Sequence, residues 1–142
     1  MLSITKIFSF EMAHAIHGYS GACRHVHGHS YLLEVTVAAK EEPENYFPAP
    51  GFIYDFKDLK KIVVNGIIEK LDHRLVLSKT FLGKNPGFST QENLVTWEME
   101  PTAENLLIYF RQQLNKELPP YVMLTRLKLH ETRDSFAEWS RG

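Results

Sequence analysis

The segment that most constrains this chain is Cys23-Arg24-His25-Val26-His27-Gly28-His29, which holds one thiol and three imidazoles. His27 and His29 are two residues apart, and in an extended strand such residues point to the same face, about 6 to 7 Å apart. The alternation continues downstream, because that face next carries apolar side chains: Tyr31, Leu33, Val35 and Val37. We therefore predict that the two histidines bind a metal ion at the start of a half-buried strand.

A second alternating segment, from Ile4 to His14, supplies a third imidazole. Four residues fall on one face of it: Phe8, Phe10, Met12 and His14. This pattern predicts a strand that ends in a histidine on its apolar face. A turn over 17–21 would fold the two strands into an antiparallel hairpin and bring the three histidines together. Three histidines with a fourth position open are typical of catalytic zinc.

Several other polar residues are harder to interpret from the pattern alone. Cys23 lies four residues before His27, and a thiol beside a cation is more readily deprotonated to the thiolate. Glu131 shares a face with Leu127 and Leu129 on a strand predicted from Val122 to about Thr132, so either a buried recognition role or a solvated position is open. The Asp72-His73 pair is a weak signal, since such pairs often only end a helix. We leave His25 unassigned and expect two more histidines at the surface: His17 and His130.

The remaining pattern predicts an α+β fold in a single domain over residues 1–142. After a loop with three prolines over 41–51, a short strand from Phe52 to Asp55 should lead into a helix that Asp55 caps. A second helix should begin after Thr102, with Glu104 in its first turn. The expected architecture is an antiparallel sheet with both helices packed on one face.

Composition argues against several classes of protein. The net charge of −1 provides no basic field for nucleic acid or anionic membranes. No apolar run approaches 18 residues, no signal peptide pattern is present, and the single cysteine cannot form an intrachain disulfide. We therefore expect a cytoplasmic protein that does not bind nucleic acid or membranes.

One competing motif involves the same histidines. Gly21, His27-Gly28-His29 and Glu34 resemble the first motif of the cupin barrels, whose metal is held by histidines and a glutamate. No glycine lies near position 41 and no second cupin motif follows. A regular strand would also point Glu34 away from the two histidines. The cupin reading is therefore disfavoured.

Six motifs in order along the chain are specific as a set: Phe10-x-x-Ala13-His14, Cys23-x3-His27-Gly28-His29, Asp55-Phe56-x-x-Leu59-Lys60, Leu71-Asp72-His73, Pro101-Thr102-Ala103-Glu104-Asn105 and His130-Glu131-Thr132. Together the motifs resemble the 6-pyruvoyl-tetrahydropterin synthase and 6-carboxy-tetrahydropterin synthase family. The resemblance implies the tunnelling fold (T-fold), in which sheets of several subunits join into a barrel. It also implies a homohexamer of two trimers with active sites between subunits, zinc as cofactor and 7,8-dihydroneopterin triphosphate as substrate.

The resemblance also implies a role for each site residue. His14, His27 and His29 would be the zinc ligands, and Cys23 the proton acceptor. His73 with Asp72 would form the relay that controls the thiol, and Glu131 would anchor the pterin ring and couple to that relay. Thr102 and Glu104 would help to line the pocket of the neighbouring subunit.

Two reactions of the family fit this chain. One eliminates triphosphate to leave a pyruvoyl group, towards biopterin. The other cleaves the side chain, releases acetaldehyde and leaves a carboxylate, towards queuosine-type deazapurines. Compact chains with Cys-x3-His-Gly-His look like bacterial members of the second class, so we favour a 6-carboxy-5,6,7,8-tetrahydropterin synthase. The longer segment between Leu75 and Pro101 departs from the compact members, and a non-catalytic pterin- or metal-binding protein of the same fold remains an alternative.

Overall fold

A long antiparallel hairpin forms the centre of the fold. In the computed structural model, which describes residues 1–142, β1 (Ser3–His14) pairs with β2 (His27–Ala39) along its whole length, from Ser3 opposite Ala38 to His14 opposite His27. The hairpin predicted from the two alternating segments is confirmed. The remaining elements are α1 (Phe56–Val63), a π-helical segment (Val64–Ile68), α2 (Glu69–Leu71), β3 (Arg74–Ser78), α3 (Lys79–Lys84), β4 (Leu94–Trp97), α4 (Ala103–Glu117), β5 (Val122–His130) and β6 (Phe136–Ser140).

The six strands form one sheet in the order β4-β3-β1-β2-β5-β6. β5 and β6 continue the antiparallel pairing, but β3 is parallel to β1 and β4 is parallel to β3. The sheet is therefore mixed, where the sequence predicted an antiparallel one. The reason is the helical connection after β2, which returns the chain to the His14 end of the hairpin. β3 then starts at that end and pairs in parallel with the free edge of β1, with Val76 opposite His14.

One face of the sheet is covered by helices. Phe10 stacks on Tyr31 with ring centroids 5.0 Å apart and meets Phe110 of α4 edge-on at 6.3 Å. The buried core joins these residues to leucines and isoleucines of α1, the π-helical segment and α4, including Leu59, Ile67, Leu106 and Leu114. Alternating residues of β1, such as Ser9 and Glu11, are exposed on the other face. The burial follows the two-residue period that the sequence predicted.

The helices begin where the capping residues predicted, but their interiors differ. Asp55 accepts a hydrogen bond from the backbone N–H of Lys57 at 2.7 Å, and Thr102 accepts one from that of Asn105 at 3.2 Å. The first helix changes to π-helical geometry around Gly66, which favours helix less than other non-proline residues do. None of the helices is long and apolar enough to cross a membrane.

The short strand predicted from Phe52 to Asp55 is wrong, because these residues form bends before α1. The nearest part of the sheet offers no free edge, since the end of β2 is already paired on both sides, with Ala38 opposite Ser3 and Ala39 opposite Val122. The segment instead buries Ile53.

Candidate metal centre

Four side chains converge at the His14 end of the hairpin. One donor atom from each of His14, His27, His29 and Glu131 lies within 4.8 Å of those of the other three. The Nε2 atoms of His14 and His27 are 3.1 Å apart, and Oε1 of Glu131 lies 2.9 Å from Nε2 of His29 and 3.7 Å from Nε2 of His14. This is the number and type of donors that a divalent metal ion requires.

Strand register produces this convergence. His27 is directly opposite His14, and His29 is opposite Met12. On the other side of β2, Leu32 is opposite His130, so Glu131 leaves the end of β5 level with Tyr31 and reaches the histidines from the side. The predicted meeting of the three histidines is confirmed. The resemblance implied that Glu131 would anchor the pterin ring. In the structure its carboxylate also lies close enough to the three histidines to be a fourth metal ligand.

Backbone carbonyls orient two of the three imidazoles. Nδ1 of His14 lies 2.7 Å from the carbonyl oxygen of Pro101, and Nδ1 of His27 lies 2.7 Å from that of His25. A carbonyl can only accept, so each Nδ1 carries the hydrogen and each neutral ring presents an unprotonated Nε2. Two such nitrogens facing each other at 3.1 Å repel unless a cation lies between them. Ligand histidines in metal sites are oriented in this way.

His29 provides a further indication. Its Nε2 is buried and has no well-directed hydrogen-bond partner, although the Glu131 carboxylate is close. A buried polar atom without such a partner costs free energy unless another group satisfies it. The cluster therefore fits a metal ion that would accept the lone pairs of the three imidazoles.

Burial also keeps the imidazoles in the form that binds metal. It lowers the pKa of His14, against the opposing effects of the Pro101 hydrogen bond and the Glu131 charge. Burial likewise lowers the pKa of His29, again against the charge of Glu131. Both rings are thus neutral near pH 7, and neutral imidazole is the ligand form. The nearby Tyr31 hydroxyl stays protonated, because burial raises its pKa far above the ordinary value.

Cys23 is not one of the four converging donors. It is half-buried in a 3-10 turn, Ala22–Arg24, and its carbonyl accepts a hydrogen bond from the backbone N–H of Ile16 at 2.9 Å. This bond fastens the turn to the chain just after His14. The predicted role of Cys23 as a thiol near the metal and outside the ligand set stays a prediction.

Asp72 and His73 lie on the other side of the hairpin. The Asp72 carboxylate accepts from the backbone N–H of Glu11 at 2.9 Å and lies 3.0 Å from Nδ1 of His73. The Glu11 bond, followed by His73, lowers the pKa of Asp72. His73 adopts a φ of 62° and its side chain is 77% exposed. It lines a cavity of about 340 Å³ with Glu11 and Ser30, whose strand positions alternate with those of the cluster, and with His29 of the cluster itself.

Within one chain, His73 forms an ion pair with Asp72 and no hydrogen bond or ion pair with Cys23 or Glu131. Thr102 acts here as the cap of α4, as expected from the sequence. Glu104 lines a cavity of about 420 Å³ together with Glu131 of the same chain, whereas the resemblance placed it in a neighbouring subunit's pocket.

The unassigned histidines have distinct positions. His130 was expected at the surface, but it is half-buried and its Nε2 lies 3.1 Å from the Glu34 carboxylate. His17 is also half-buried, and its backbone N–H donates to Glu100 at 2.6 Å. His25 is exposed and its Nε2 accepts from Nε of Arg24 at 3.3 Å. The carbonyl partners of His14 and His27 were not foreseen, because main-chain atoms carry no sequence signal.

Comparison with known proteins agrees with this geometry. A family model described as 6-pyruvoyl tetrahydropterin synthase matches residues 3–141. The chain is 30% identical to the 6-carboxy-5,6,7,8-tetrahydropterin synthase of Rickettsia bellii, over 97% of this chain and 99% of the relative. It is 31% identical to the 6-pyruvoyl tetrahydrobiopterin synthase of Poecilia reticulata, over 91% of this chain and 83% of the relative.

The fold is shared with solved structures as well. The 6-pyruvoyl tetrahydropterin synthase of Caenorhabditis elegans superposes with a TM-score of 0.68, at 23% identity, over 99% of this chain and 96% of that one. The predicted tunnelling fold is thus confirmed. The chain belongs to the 6-pyruvoyl tetrahydropterin synthase family.

Proposed function

We propose that this protein is a zinc-dependent 6-carboxy-5,6,7,8-tetrahydropterin synthase, which converts 7,8-dihydroneopterin triphosphate in the synthesis of queuosine-type deazapurines. The observation that carries the proposal is the convergence of three imidazole Nε2 atoms and one carboxylate oxygen at the end of the hairpin. The similarity to the Rickettsia bellii synthase over nearly both whole chains supports the choice of reaction.

His14, His27 and His29 would hold the zinc ion through their Nε2 atoms. When bound there, zinc supplies Lewis acidity that polarises the side-chain hydroxyls of the substrate. The two carbonyl hydrogen bonds of Pro101 and His25 fix the rings of His14 and His27 for this task. The protein thus provides an oriented, partly buried site at the edge of the core.

In the proposed mechanism Cys23, as thiolate, removes a proton from the substrate side chain. His73, oriented by Asp72, returns a proton elsewhere on the molecule. Within one chain His73 is exposed and pairs with Asp72, and it makes no hydrogen bond to Cys23. We therefore propose that the Asp72-His73 pair of a neighbouring copy completes each site, in a homohexamer of two trimers.

Glu131 would anchor the pterin ring. A 2-amino-4-oxo pterin presents adjacent N–H donors, which one carboxylate can accept as a pair. Glu131 borders the cavity of about 420 Å³ that it shares with Glu104, so its carboxylate is accessible to a ligand. In this role it holds the ring while the side chain extends towards His14 and His27.

The overall reaction balances with one water. Loss of triphosphate turns the outer two carbons of the side chain into a methyl ketone. The carbon next to the ring is oxidised from alcohol to carbonyl, and its two hydrogens reduce the N5=C6 bond of the dihydropterin to the tetrahydropterin, which leaves two adjacent carbonyls on the side chain. Cleavage of the bond between them adds hydroxide to the carbon next to the ring, which becomes the carboxylate. The proton goes to the other carbon, which leaves as acetaldehyde.

A second candidate is 6-pyruvoyl-tetrahydropterin synthase, in which the reaction stops before that cleavage. The Poecilia reticulata relative favours it, because its identity to this chain is similar. A non-catalytic pterin-binding protein is a third candidate, but it would give no role to Cys23 or the Asp72-His73 pair.

Product analysis of the zinc-loaded protein with 7,8-dihydroneopterin triphosphate separates these candidates. We expect acetaldehyde, triphosphate and a 6-carboxy-pterin in equal amounts. Triphosphate without acetaldehyde would favour the pyruvoyl synthase. Substrate binding without any product would favour the binding protein.

A further inference from the structure

A second polar cavity, of about 330 Å³, adjoins the histidine cluster. Besides Ile16, Gly18 and Phe81 it is lined by His17, Tyr19, Arg24, His25 and Asn85. No carboxylate lines this cavity. The chain as a whole is slightly acidic, with a net charge of −1, so a lining without acidic groups is a local feature. Such a lining, with an arginine, two histidines, a phenol and an amide, offers donors to an anion.

Arg24 is the only permanently charged group in this lining. Its Nη1 donates to the carbonyl of Ser20 at 3.0 Å and its Nε donates to His25 at 3.3 Å. No carboxylate lies within ion-pair distance of it. A guanidinium has five N–H donors, so three remain for a ligand in an orientation that two contacts already fix.

One acidic side chain contacts a residue of this lining through the backbone. Glu100 accepts the backbone N–H of His17 at 2.6 Å and does not line the cavity. Glu100 keeps its negative charge, but this bond holds its carboxylate against the backbone of the loop after β1 and outside the cavity lining.

Two backbone contacts tie this cavity to the proposed reaction centre. The carbonyl of Cys23, the residue before Arg24, holds the N–H of Ile16. The carbonyl of His25 holds Nδ1 of the proposed ligand His27. The cavity and the cluster are therefore neighbours along the same turn.

The order of the strands places the cavity opposite the proposed ring anchor. Phe81 and Asn85 follow β3, which lies on one side of β1, whereas Glu131 follows β5, which lies on the far side of β2. The histidines of β1 and β2 lie between them. A substrate with a ring at one end, hydroxyls in the middle and phosphates at the other end matches this order.

We propose that the cavity around Arg24 and His25 binds the triphosphate group of the substrate, an inference that rests on the proposed function. Arginine binds phosphate oxygens through paired N–H donors, and the Tyr19 hydroxyl adds a neutral donor. Asn85 adds one more, because its amide donates one N–H to the Phe81 carbonyl at 3.0 Å and has a second. The site thereby selects a polyphosphate ester over the free alcohol.

The test compares Arg24→Gln with Lys116→Gln, which removes the same charge from an exposed position at the end of α4. For both zinc-loaded variants and the wild type, the affinity for inorganic triphosphate and the KM and kcat for dihydroneopterin triphosphate are measured. Zinc content is measured after each titration, because triphosphate also chelates metals. We expect Arg24→Gln to weaken triphosphate binding about tenfold and to raise KM about tenfold, with kcat within about twofold of the wild type. Arg24→Lys should recover part of the loss. Lys116→Gln should behave as the wild type.

Equal triphosphate affinity and KM in Arg24→Gln and the wild type would overturn this inference and leave the proposed function standing. Binding that disappears with the zinc and not with Arg24 would overturn it too, since the anion would then sit on the metal. If no variant turns over the substrate but Arg24→Gln alone loses triphosphate binding, the anion site stands and the proposed reaction fails.

Discussion

His14 and His27 provide the most direct argument for a metal at the single-residue scale. Each ring donates its Nδ1–H to a carbonyl, so two lone pairs face each other at 3.1 Å. His73 differs, because it is exposed and adopts a left-handed backbone that asparagine tolerates and alanine does not favour. A single chain thus brings the proposed metal ligands together, but it leaves His73 exposed.

Mixing of two inactive variants tests whether each site needs two copies of the chain. Cys23→Ala and His73→Asn should each lower kcat by about 10²–10⁴-fold, since each removes a proton-transfer group, while zinc and fold are retained. In oligomers assembled from equal amounts of both, about a quarter of the sites would combine an intact Cys23 with an intact His73. We expect activity near that fraction, measured after co-expression or co-refolding.

Oligomers of either variant alone are the control for this experiment. If mixing gives no more activity than the parents, every site draws both residues from one chain, and the proposed arrangement between subunits is wrong.

The N-terminus of α4 supports the site at the scale of secondary structure. Thr102 caps this helix, and the preceding carbonyl of Pro101 orients His14. We expect Thr102→Ala to lower the free energy of unfolding by about 1 kcal/mol and to weaken zinc binding, because the cap holds that carbonyl in place. Thr102→Ser keeps a capping hydroxyl and should retain both properties. Chemical denaturation and zinc titration of the two variants provide the comparison. Equal zinc affinity in Thr102→Ala and Thr102→Ser would mean that the helix cap does not influence the metal site.

An ionic network links β2, β5 and β6 on the uncovered face. Glu34 lies 3.0 Å from Arg126 and 3.1 Å from His130, and Arg126 reaches Glu138 at 3.3 Å. Burial alone would raise the pKa of Glu34, but the hydrogen bonds from His130 and Arg126 outweigh it, and the pKa lies below its ordinary value of 4.5. The stabilisation is therefore complete above about pH 4.5 and is lost as the pH falls through the lower, folded-state value.

Thermal unfolding between pH 3 and 6 tests this network. Glu34→Gln should lose stability above pH 4.5 and show a shallower decline in acid than the wild type. Glu44→Gln, at an exposed loop position, should keep the wild-type pH profile. Parallel pH profiles for all three proteins would mean that Glu34 contributes no pH-dependent stability.

Sequence patterns predicted the hairpin because alternation over more than ten residues is a strong local signal. β3 is buried at four of its five positions and shows no alternation, and α3 has only six residues, so neither was predicted. The histidine cluster followed from strand parity. The approach of Glu131 and the separation of His73 depend on pairings between distant segments, such as Leu32 with His130, which no local pattern encodes.

At the scale of the whole molecule, the metal site is peripheral to the core. His14 is buried, but His27, His29 and Glu131 are only half-buried, and the ring of His29 packs against Tyr31 at the edge of the apolar core of 21 residues. Metal removal should therefore abolish activity without unfolding the chain, unlike a structural zinc module, which unfolds when its metal is chelated. Circular dichroism should be unchanged by chelator, with a lower Tm because bound metal stabilises the folded state.

Zinc binding by the wild type and His27→Ala tests the central claim most directly. We expect one zinc ion per wild-type chain, with X-ray absorption showing three nitrogen ligands at about 2.0–2.1 Å. His27→Ala should fold but retain no stoichiometric zinc, and His130→Ala should bind it as the wild type does. Zinc bound equally by wild type and His27→Ala, or absent from both, would contradict a metal centre at these three histidines.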